Sequence, residues 1–389
     1  MILKIFFWLP LILILHTYIV YPLLLLVLDR LAGKNTSNKE TGGNFKVSVL
    51  MAVHNEEAVI RQKIISLVRC DYPSENLEIL VGSDASDDAT DTILEELSRD
   101  NNGLIKLAKY TTRTGKPAII NDLSEKARGE ILVITDANVI PEKDTITKLV
   151  RNFNNPSIGL ADTWLISSTN GKDGIALPGK AYLSIESKMK LIEGRLWGTM
   201  MGPFGGFYAV RKSLYMPNSR DTLADDFRIC MNVIRHGEKA ICDHEAVVHE
   251  DISNNLADEF KRKVRISAGN FQNLKYFSGI LIRPFSRISF SFISHKVIRW
   301  LAPVFWLILI VFNVMLIRES IFYFLFLLLQ VIFLILPPLD ILMKKAGINI
   351  VPLRFLTHLY MLNVALFTGL IKYLGGIKSG VWTPTKRFQ

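Results

Sequence analysis

Apolar residues along the chain fall into two kinds of run. Four runs are about as long as a helix needs to cross a bilayer, roughly 20 residues: 5–28, 300–317, 321–343 and 352–371. Between the first and the second of these, the apolar runs are short, rich in β-branched residues, and alternate with segments of helical spacing. The pattern predicts membrane-spanning helices towards both ends and a folded domain between them.

The first long run is longer than the core of a signal peptide and lacks a convincing small-residue cleavage site. We therefore interpret residues 1–33 as a retained transmembrane anchor. The last long run contains Arg354, His358 and Asn363. Three placements stay open for it: a membrane span, a helix packed inside the bundle, or a helix at the membrane interface.

The middle of the chain carries a repeating strand–helix pattern. Strand-length apolar runs are predicted at 46–53, 77–82, 104–108 and 130–135, and helical spacing is found at 57–69, 91–98 and 117–127. This alternation predicts an α/β domain with a mostly parallel sheet. Ligands of such sheets bind beyond the carboxyl ends of the strands.

Polar side chains cluster at these strand ends. Glu56, Asp84 and Asp136 each follow a different predicted strand, so they are expected to converge at one edge of the sheet. Asp87 and Asp88 are instead interpreted as caps of the next helix. Neither a P-loop nor a G-x-G-x-x-G motif follows the first strand, which excludes kinase-like and dinucleotide-binding sites.

Charge is distributed unevenly along the chain. The net charge is +10. Residues 1–259 carry 29 Lys and Arg against 34 Asp and Glu, a balance of −5, whereas residues 260–389 carry 17 against 2, a balance of +15. Because the excess lies beside the apolar runs, it indicates an anionic membrane surface and not nucleic acid. The middle domain is therefore expected in the cytoplasm, and the three cysteines fit a reducing compartment.

These patterns predict five segments. They are an anchor (1–33), a cytoplasmic domain (34–259) that begins with a polar linker at 33–44, a basic interfacial segment (260–299), C-terminal transmembrane helices (300–371) and a basic tail (372–389).

Several motifs occur in an order that resembles a known family. They are VSVLMAVHNEE at 47–57, Asp84, the Arg113-Thr114-Gly115-Lys116 turn, and TDAN at 135–138. The chain resembles the family 2 glycosyltransferases, and in particular the membrane-bound synthases of cellulose, poly-N-acetylglucosamine, hyaluronan and chitin oligosaccharides. The resemblance implies a GT-A nucleotide-diphospho-sugar transferase fold and an inverting transfer from a UDP-sugar.

The resemblance also implies a donor site. Ala52, Glu56 and Asp84 match positions that contact the nucleoside, and Lys116 matches a basic residue near the nucleotide. Asp136 matches the first carboxylate of the family's D-x-D motif, which holds a divalent cation, Mg²⁺ or Mn²⁺, on the diphosphate. Asn138 stands at the second position of that motif, where a neutral amide can still ligate through its oxygen.

The acceptor side is implied by two later segments. In MGPFGGFYAVRKSLY, Gly205 and Gly206 match a Gly-rich stretch that shapes the acceptor channel; a bend at a strand start is the equally weighted alternative. In DTLADDFRICMNVIRHG, Asp226 matches the catalytic base and Asp225 the preceding acidic residue. Helix capping by either aspartate is a compatible alternative.

The processive synthases carry Q-x-x-R-W where this chain has Arg262, Arg265 and Ile266. Arg265 keeps the position expected to face the diphosphate, where a guanidinium matches phosphate oxygens. Ile266 lacks the flat aromatic face that stacks on a sugar. Processive synthesis and single-sugar transfer therefore both stay open.

The function expected from sequence is transfer of a hexose or N-acetylhexosamine from a UDP-sugar to a saccharide or lipid-linked saccharide at the cytoplasmic membrane face, in surface polysaccharide biosynthesis. Membrane lipids are expected partners of the basic segment. Oligomer or polysaccharide-export partners are expected because three or four spans are few for a channel. The alternative is a non-catalytic, membrane-tethered nucleotide-binding scaffold subunit of an assembly complex.

Overall fold

The computed structural model describes residues 1–33, 44–101, 103–167, 176–250, 256–283, 285–348, 350–377 and 379–381. Most of the predicted linker at 33–44 and the end of the predicted basic tail at 372–389 lie outside these residues. The strands are β1 (Val47–Val53), β2 (Leu77–Asp84), β3 (Ile105–Tyr110), β4 (Ile131–Thr135), β5 (Val139–Pro141), β6 (Ile158–Ser167), β7 (Phe207–Arg211) and β8 (Lys239–Glu250). The helices are α1 (Ile2–Leu15), α2 (Tyr21–Ala32), α3 (Ile60–Val68), α4 (Thr90–Asp100), α5 (Lys116–Lys126), α6 (Thr145–Val150), α7 (Ala176–Trp197), α8 (Asp225–Arg235), α9 (Leu256–Tyr276), α10 (Arg287–Ser291), α11 (Ile298–Leu316), α12 (Ile321–Lys345) and α13 (Val351–Leu374).

The first four strands form the parallel half of one sheet. β1 pairs with β2 and β4, and β2 pairs with β3, all in parallel. Every residue of β1, β2 and β4 is buried, which is why these strands read as nearly continuous apolar runs. The predicted strands and the helices between them are confirmed to within a few residues at their ends.

The second half of the sheet is mixed. The strand order is β3-β2-β1-β4-β7-β6-β8-β5. β7 runs antiparallel to both β4 and β6, β8 runs parallel to β6, and β5 closes the edge antiparallel to β8. The strand–helix pattern found in the sequence did not extend to these strands, because their neighbours in the sheet are distant in sequence.

The chain divides into two compact units. The sheet unit comprises residues 28–169, 186–253 and 377–389, and the helical unit comprises residues 1–27, 170–185 and 254–376. This division and the predicted segments differ in several boundaries. Among the described residues, 176–185 at the start of α7 group with the long apolar helices, and residues 377 and 379–381 group with the sheet.

Within the described residues, four helices are long and apolar enough to cross a membrane: Ile2–Ala32, Arg287–Leu316, Ile321–Lys344 and Val351–Leu374. In the helical unit, Phe7 of α1 makes edge-to-face contacts with the rings of Tyr323 and Phe326. Thr17 donates a 2.7 Å hydrogen bond to the carbonyl oxygen of Ser294. The second of these four helices begins at Arg287, so it includes residues 287–299 of the predicted interfacial segment.

The charged residue of the last predicted span, Arg354, is paired inside the helical unit. Arg354 and Asp340 are 3% and 1% exposed and form an ion pair at 3.1 Å. The Thr357 hydroxyl donates to the same carboxylate at 2.7 Å. Of the three placements, the structure therefore favours a helix whose charged residue faces its neighbours, as expected for an ionisable group at membrane depth.

Candidate active site

The carboxyl ends of β1, β2 and β4 bring together the polar residues predicted to converge. Ala52 pairs with Gly82 across the sheet, and its neighbour Met51 pairs with Thr135, the residue before Asp136. Glu56 lies in the turn after β1, where its backbone N–H donates to the Thr90 hydroxyl at 2.8 Å. Parallel pairing thus places these turns at one edge of the sheet.

The two outer turns of this edge contain strained residues. Asn55 and Ala85 have φ values of 53° and 54°, in the left-handed region that non-glycine residues seldom occupy. The His54 ring lies 2.9 Å from the carbonyl oxygen of Asp84 and joins the turns. Such strain clusters at ligand sites. The residue capping α4 is Ala89, and no side chain caps the helix at that position. The Asp88 carboxylate, one residue earlier, accepts from the backbone N–H of Thr90 at 2.9 Å.

Asp84 is fully buried, and its carboxylate organises the loop before α5. One oxygen accepts from the backbone N–H of Thr114 at 2.5 Å, and the other accepts from Gly115 N at 3.1 Å and Arg113 Nε at 3.2 Å. Gly115 has a φ of 90°, which allows this tight approach. Contact between Asp84 and a nucleobase stays a prediction; the observed bonds make it the anchor of the loop that carries Lys116.

Lys116 lies at the centre of an acidic cluster. Its Nζ is 2.7 Å from Asp136 Oδ1. Burial opposes its charge, but Asp136, Asp225 and Asp226 outweigh burial and raise the pKa of Lys116 above its ordinary value. The lysine therefore stays charged, and it links the turn after β4 with the start of α8.

Asp225 and Asp226 form the first turn of α8, and the residue capping this helix is Ala224. Burial and the adjacent Asp225 raise the pKa of Asp226 above the ordinary 3.8. Gly205 has a φ of 90°, and a Cβ at that position would lie 2.1 Å from Asp226 Oδ2. The predicted bend before β7 is confirmed, and it brings a bare backbone against the carboxylate predicted to be the base.

The side-chain oxygens of Asp136 and Asn138 are the predicted ligands of a cation. The Asp136 side chain is 38% exposed. Asn138 Nδ2 donates to Glu250 Oε1 at 2.9 Å, which fixes the amide so that its oxygen faces away from that carboxylate. Among the described residues, no three His, Cys, Asp or Glu side chains form a metal cluster. One carboxylate and one amide oxygen fit a hard cation that takes its other ligands from a diphosphate and water.

Several residues of this region were not identified from sequence. Tyr208 is buried beside the acidic cluster, and its hydroxyl has no hydrogen-bond partner in the described part of the chain. Asp162 is also buried, which raises its pKa to about 7, and it accepts from Phe204 N at 2.6 Å. Gly380 packs its backbone against the carbonyl oxygens of Arg220 and Thr222. Only the fold reveals these three, because each one's neighbours are far away in sequence.

Arg265 lies on α9 of the helical unit. Its expected role towards a diphosphate stays a prediction, as does the significance of Ile266 beside it.

A mixed sheet with a parallel half, an acidic turn after β4 and a second acidic turn beyond β7 is the arrangement of the GT-A fold. Residues 48–216 match the family Glycosyl transferase family 2. These residues are therefore similar to a family 2 glycosyltransferase domain.

Comparison with solved structures supports the same fold. The mannosyltransferase PcManGT from Pyrobaculum calidifontis, solved in complex with GDP-Man and Mn²⁺, superposes with a TM-score of 0.68 at 20% identity. The match covers 95% of this chain and 99% of that protein.

Curated relatives match over shorter stretches. A probable glycosyltransferase, YdaM of Bacillus subtilis, is 36% identical over 28% of this chain and 27% of its own length. A beta-monoglucosyldiacylglycerol synthase of Synechocystis is 24% identical over 61% of this chain and 51% of its own length. The chain thus spans about a quarter to a half of the length of these two relatives.

Proposed function

We propose that the protein is an inverting glycosyltransferase that moves a sugar from a UDP-sugar to an acceptor at the cytoplasmic face of a membrane. The observation that carries this proposal is the position of Asp226. The half-buried Asp226 carboxylate, whose pKa is raised, packs against the bare backbone of Gly205 and shares one electrostatic cluster with Lys116 and Asp136. The proposed base and the proposed diphosphate-binding group thus belong to one cluster of charges.

Asp226 is proposed to act as the general base. Its carboxylate takes the proton of the acceptor hydroxyl while that oxygen attacks the anomeric carbon from the side opposite the nucleotide. The bond between the sugar and the diphosphate breaks, and the configuration at the anomeric carbon inverts. The raised pKa suits this role, because a base works best when its pKa approaches the working pH.

Lys116 is proposed to neutralise the departing diphosphate. Its ammonium group is held in place by Asp136 before any donor binds, so little rearrangement is needed when negative charge develops. Ala52 and Glu56 lie at the same strand ends and are proposed to contact the nucleoside, while Asp84 keeps the Lys116 loop in shape.

Asp136 and Asn138 are proposed to hold Mg²⁺ or Mn²⁺ beside the diphosphate. The cation, when bound, neutralises charge on the leaving group. Glu250 supports this arrangement by fixing the Asn138 amide, in the way that outer partners orient metal ligands.

The acceptor is proposed to be a saccharide or a lipid-linked substrate at the membrane surface, placed by the Gly205–Gly206 turn and Asp225. Two features support a membrane acceptor: the four helices suited to span a bilayer and a relative named as a glycolipid synthase. Assembly of a surface polysaccharide, as in the membrane-bound synthase branch, is the proposed process.

The test uses the full chain purified in detergent with Mn²⁺ and radiolabelled UDP-glucose, UDP-N-acetylglucosamine or GDP-mannose. Membrane lipid extract and oligosaccharides serve as acceptors, and product size distinguishes single transfer from polymer synthesis. Asp226→Asn is expected to lower transfer by about 100-fold or more while UDP-sugar binding is kept. Asp144→Asn, which alters a side chain in a partly exposed ion pair with Lys148, is the matched control. Wild-type transfer by Asp226→Asn would contradict the assignment of the base.

A further inference from the structure

Lys63 is a lysine buried completely within the core of the sheet unit. It lies on α3 and is 0% exposed. Its neighbours on the same face of the helix, Ile60, Ile64 and Leu67, belong to the main hydrophobic cluster. Lysine is almost never fully buried unless its amine is paired. The partners of this amine therefore indicate why a lysine occupies the position.

The amine reaches both ends of the turn that carries Asp136 and Asn138. Lys63 Nζ donates to the hydroxyl oxygen of Thr135 at 2.8 Å and to the carbonyl oxygen of Val139. Thr135 ends β4 and Val139 begins β5. A single side chain thus fixes the distance between the residues on either side of the proposed cation ligands.

The same contacts continue to the Gly-rich turn. The Thr135 hydroxyl lies 3.1 Å from the carbonyl oxygen of Gly206, and that oxygen also accepts from the backbone N–H of Asp136 at 2.9 Å. The preceding residue, Gly205, is the one packed against Asp226. Lys63 is therefore joined to both proposed ligand turns without being exposed to either substrate.

If Lys63 served only to fill space in the core, an apolar side chain would suffice at this position. The ring of Phe207 lies 4.9 Å from the amine, and the helix neighbours Ile60, Ile64 and Leu67 belong to the hydrophobic cluster. Methionine would therefore occupy a similar volume without burying a polar group. The amine costs free energy to bury, and the groups that satisfy it are those of the Asp136 turn. This placement indicates that the amine serves the geometry of the turn.

We propose that Lys63 is a positioning residue that holds the Asp136–Asn138 turn in the shape that binds a divalent cation and the donor diphosphate. This inference rests on the proposed function. Lys63 touches neither substrate nor cation and acts through Thr135, Val139 and Gly206.

The experiment measures Mn²⁺ binding to the full chain in detergent by electron paramagnetic resonance, with and without UDP. Lys63→Met is expected to weaken Mn²⁺ binding in the presence of UDP by about 10- to 100-fold, the range for losing a partner of metal ligands. The Mn²⁺ concentration that supports half-maximal transfer should rise by a similar factor, with a smaller change in kcat at saturating Mn²⁺.

Leu67→Ala is the matched control. Leu67 lies one turn further along α3 and is equally buried, so its truncation lowers the Tm but leaves the Mn²⁺ affinity of the folded protein unchanged. Wild-type Mn²⁺ affinity in folded Lys63→Met, or an equal loss of affinity in Leu67→Ala, would overturn the positioning role.

A second pair of variants covers the case in which Lys63→Met fails to fold. Thr135→Val removes the hydroxyl that links Lys63 to Gly206, and Thr135→Ser keeps it. The proposal expects weak Mn²⁺ binding in the valine variant and rescue in the serine variant; equal binding by both would reject it. If the wild-type chain itself binds no Mn²⁺ with UDP, the proposed cation site fails, and the Lys63 proposal fails with it.

Discussion

Two ion pairs, one in each unit, differ in how far their charges are buried. Asp340 and Arg354 in the helical unit are 1% and 3% exposed, and a threonine hydroxyl completes the carboxylate's contacts. Lys116 and Asp136 in the sheet unit are 20% and 38% exposed, and two further carboxylates act on the lysine. The first pair is closed and balanced. The second is partly open and has an excess of negative charge, which suits the proposed cation site.

From this contrast we predict that the closed pair contributes to folding and the open pair to the proposed binding site. Breaking a closed pair leaves a charge without water or partner, which is costly. Breaking an open pair exposes a charge that water can solvate, so stability changes little. The following substitutions test this division, in order of decreasing expected effect.

Asp136→Ala should abolish transfer, with a loss of about 1000-fold or more if one removed electrostatic contact costs what an oxyanion-hole donor does. The Tm should change little, because the carboxylate is partly exposed. Activity assays with saturating Mn²⁺ and a thermal melt measure the two effects. Retained transfer in Asp136→Ala would place the cation elsewhere.

Asn138→Asp is the companion substitution. It places a second carboxylate beside Glu250, where the amide now donates at 2.9 Å. Like charges repel at this distance, so the variant should melt at a lower temperature than the wild type without cation and regain stability when Mn²⁺ is added. A melt that is insensitive to Mn²⁺ would argue against Asn138 as a ligand.

Arg354→Met should destabilise the protein by about 3–5 kcal/mol, because it leaves Asp340 buried with only a hydroxyl partner. The kcat of the protein that remains folded should be unchanged. Thermal melting in detergent and activity per folded molecule measure both. Replacing Asp340 by leucine in the same chain should recover most of the stability, and a failure to recover would show that the pair has a role beyond packing.

Gly205→Ala should cost about 1–3 kcal/mol, since alanine is strained at a φ of 90°. Transfer should fall further, by about 100-fold, because the added Cβ displaces the Asp226 carboxylate. Gly237→Ala is the control: its φ is 93°, but nothing lies within 4 Å of the added carbon. It should lose stability alone, and an equal loss of transfer in both variants would remove Gly205 from the site.

The smallest expected effect is a shift in the pH dependence of transfer when Asp225 is replaced. Burial and Asp225 raise the pKa of Asp226, so the base is protonated, and kcat/KM falls, at a higher pH than for an ordinary aspartate. Asp225→Asn removes one cause and should shift this acid limb to lower pH. Profiles of kcat/KM against pH measure the shift; an unmoved limb would exclude coupling between the two aspartates.

A feature could be predicted from the sequence when the residues that produce it are close together along the chain. The strands of the parallel half are fully buried, so β-branched runs such as 47–53 identified them from local pattern alone. Strands β6 and β8 pair across about 80 residues, and no local signal announces that pairing. Lys63 was hidden for a similar reason, because one lysine in an amphipathic helix reads as surface until its amine is found beneath Thr135.

The sequence by itself determined the four long apolar helices, the parallel half of the sheet, and the carboxylates at its edge, because periodicity and strand ends are local properties. The tertiary structure alone decided that the Asp84 carboxylate is hydrogen-bonded to the loop before Lys116, and that Gly205 packs against Asp226. It also decided that Glu250 orients the Asn138 amide and that Lys63 supports the turn containing Asp136 and Asn138. These are contacts between distant residues, and hydrogen bonds at 2.5–3.2 Å form only once the packed strands have fixed where each backbone lies.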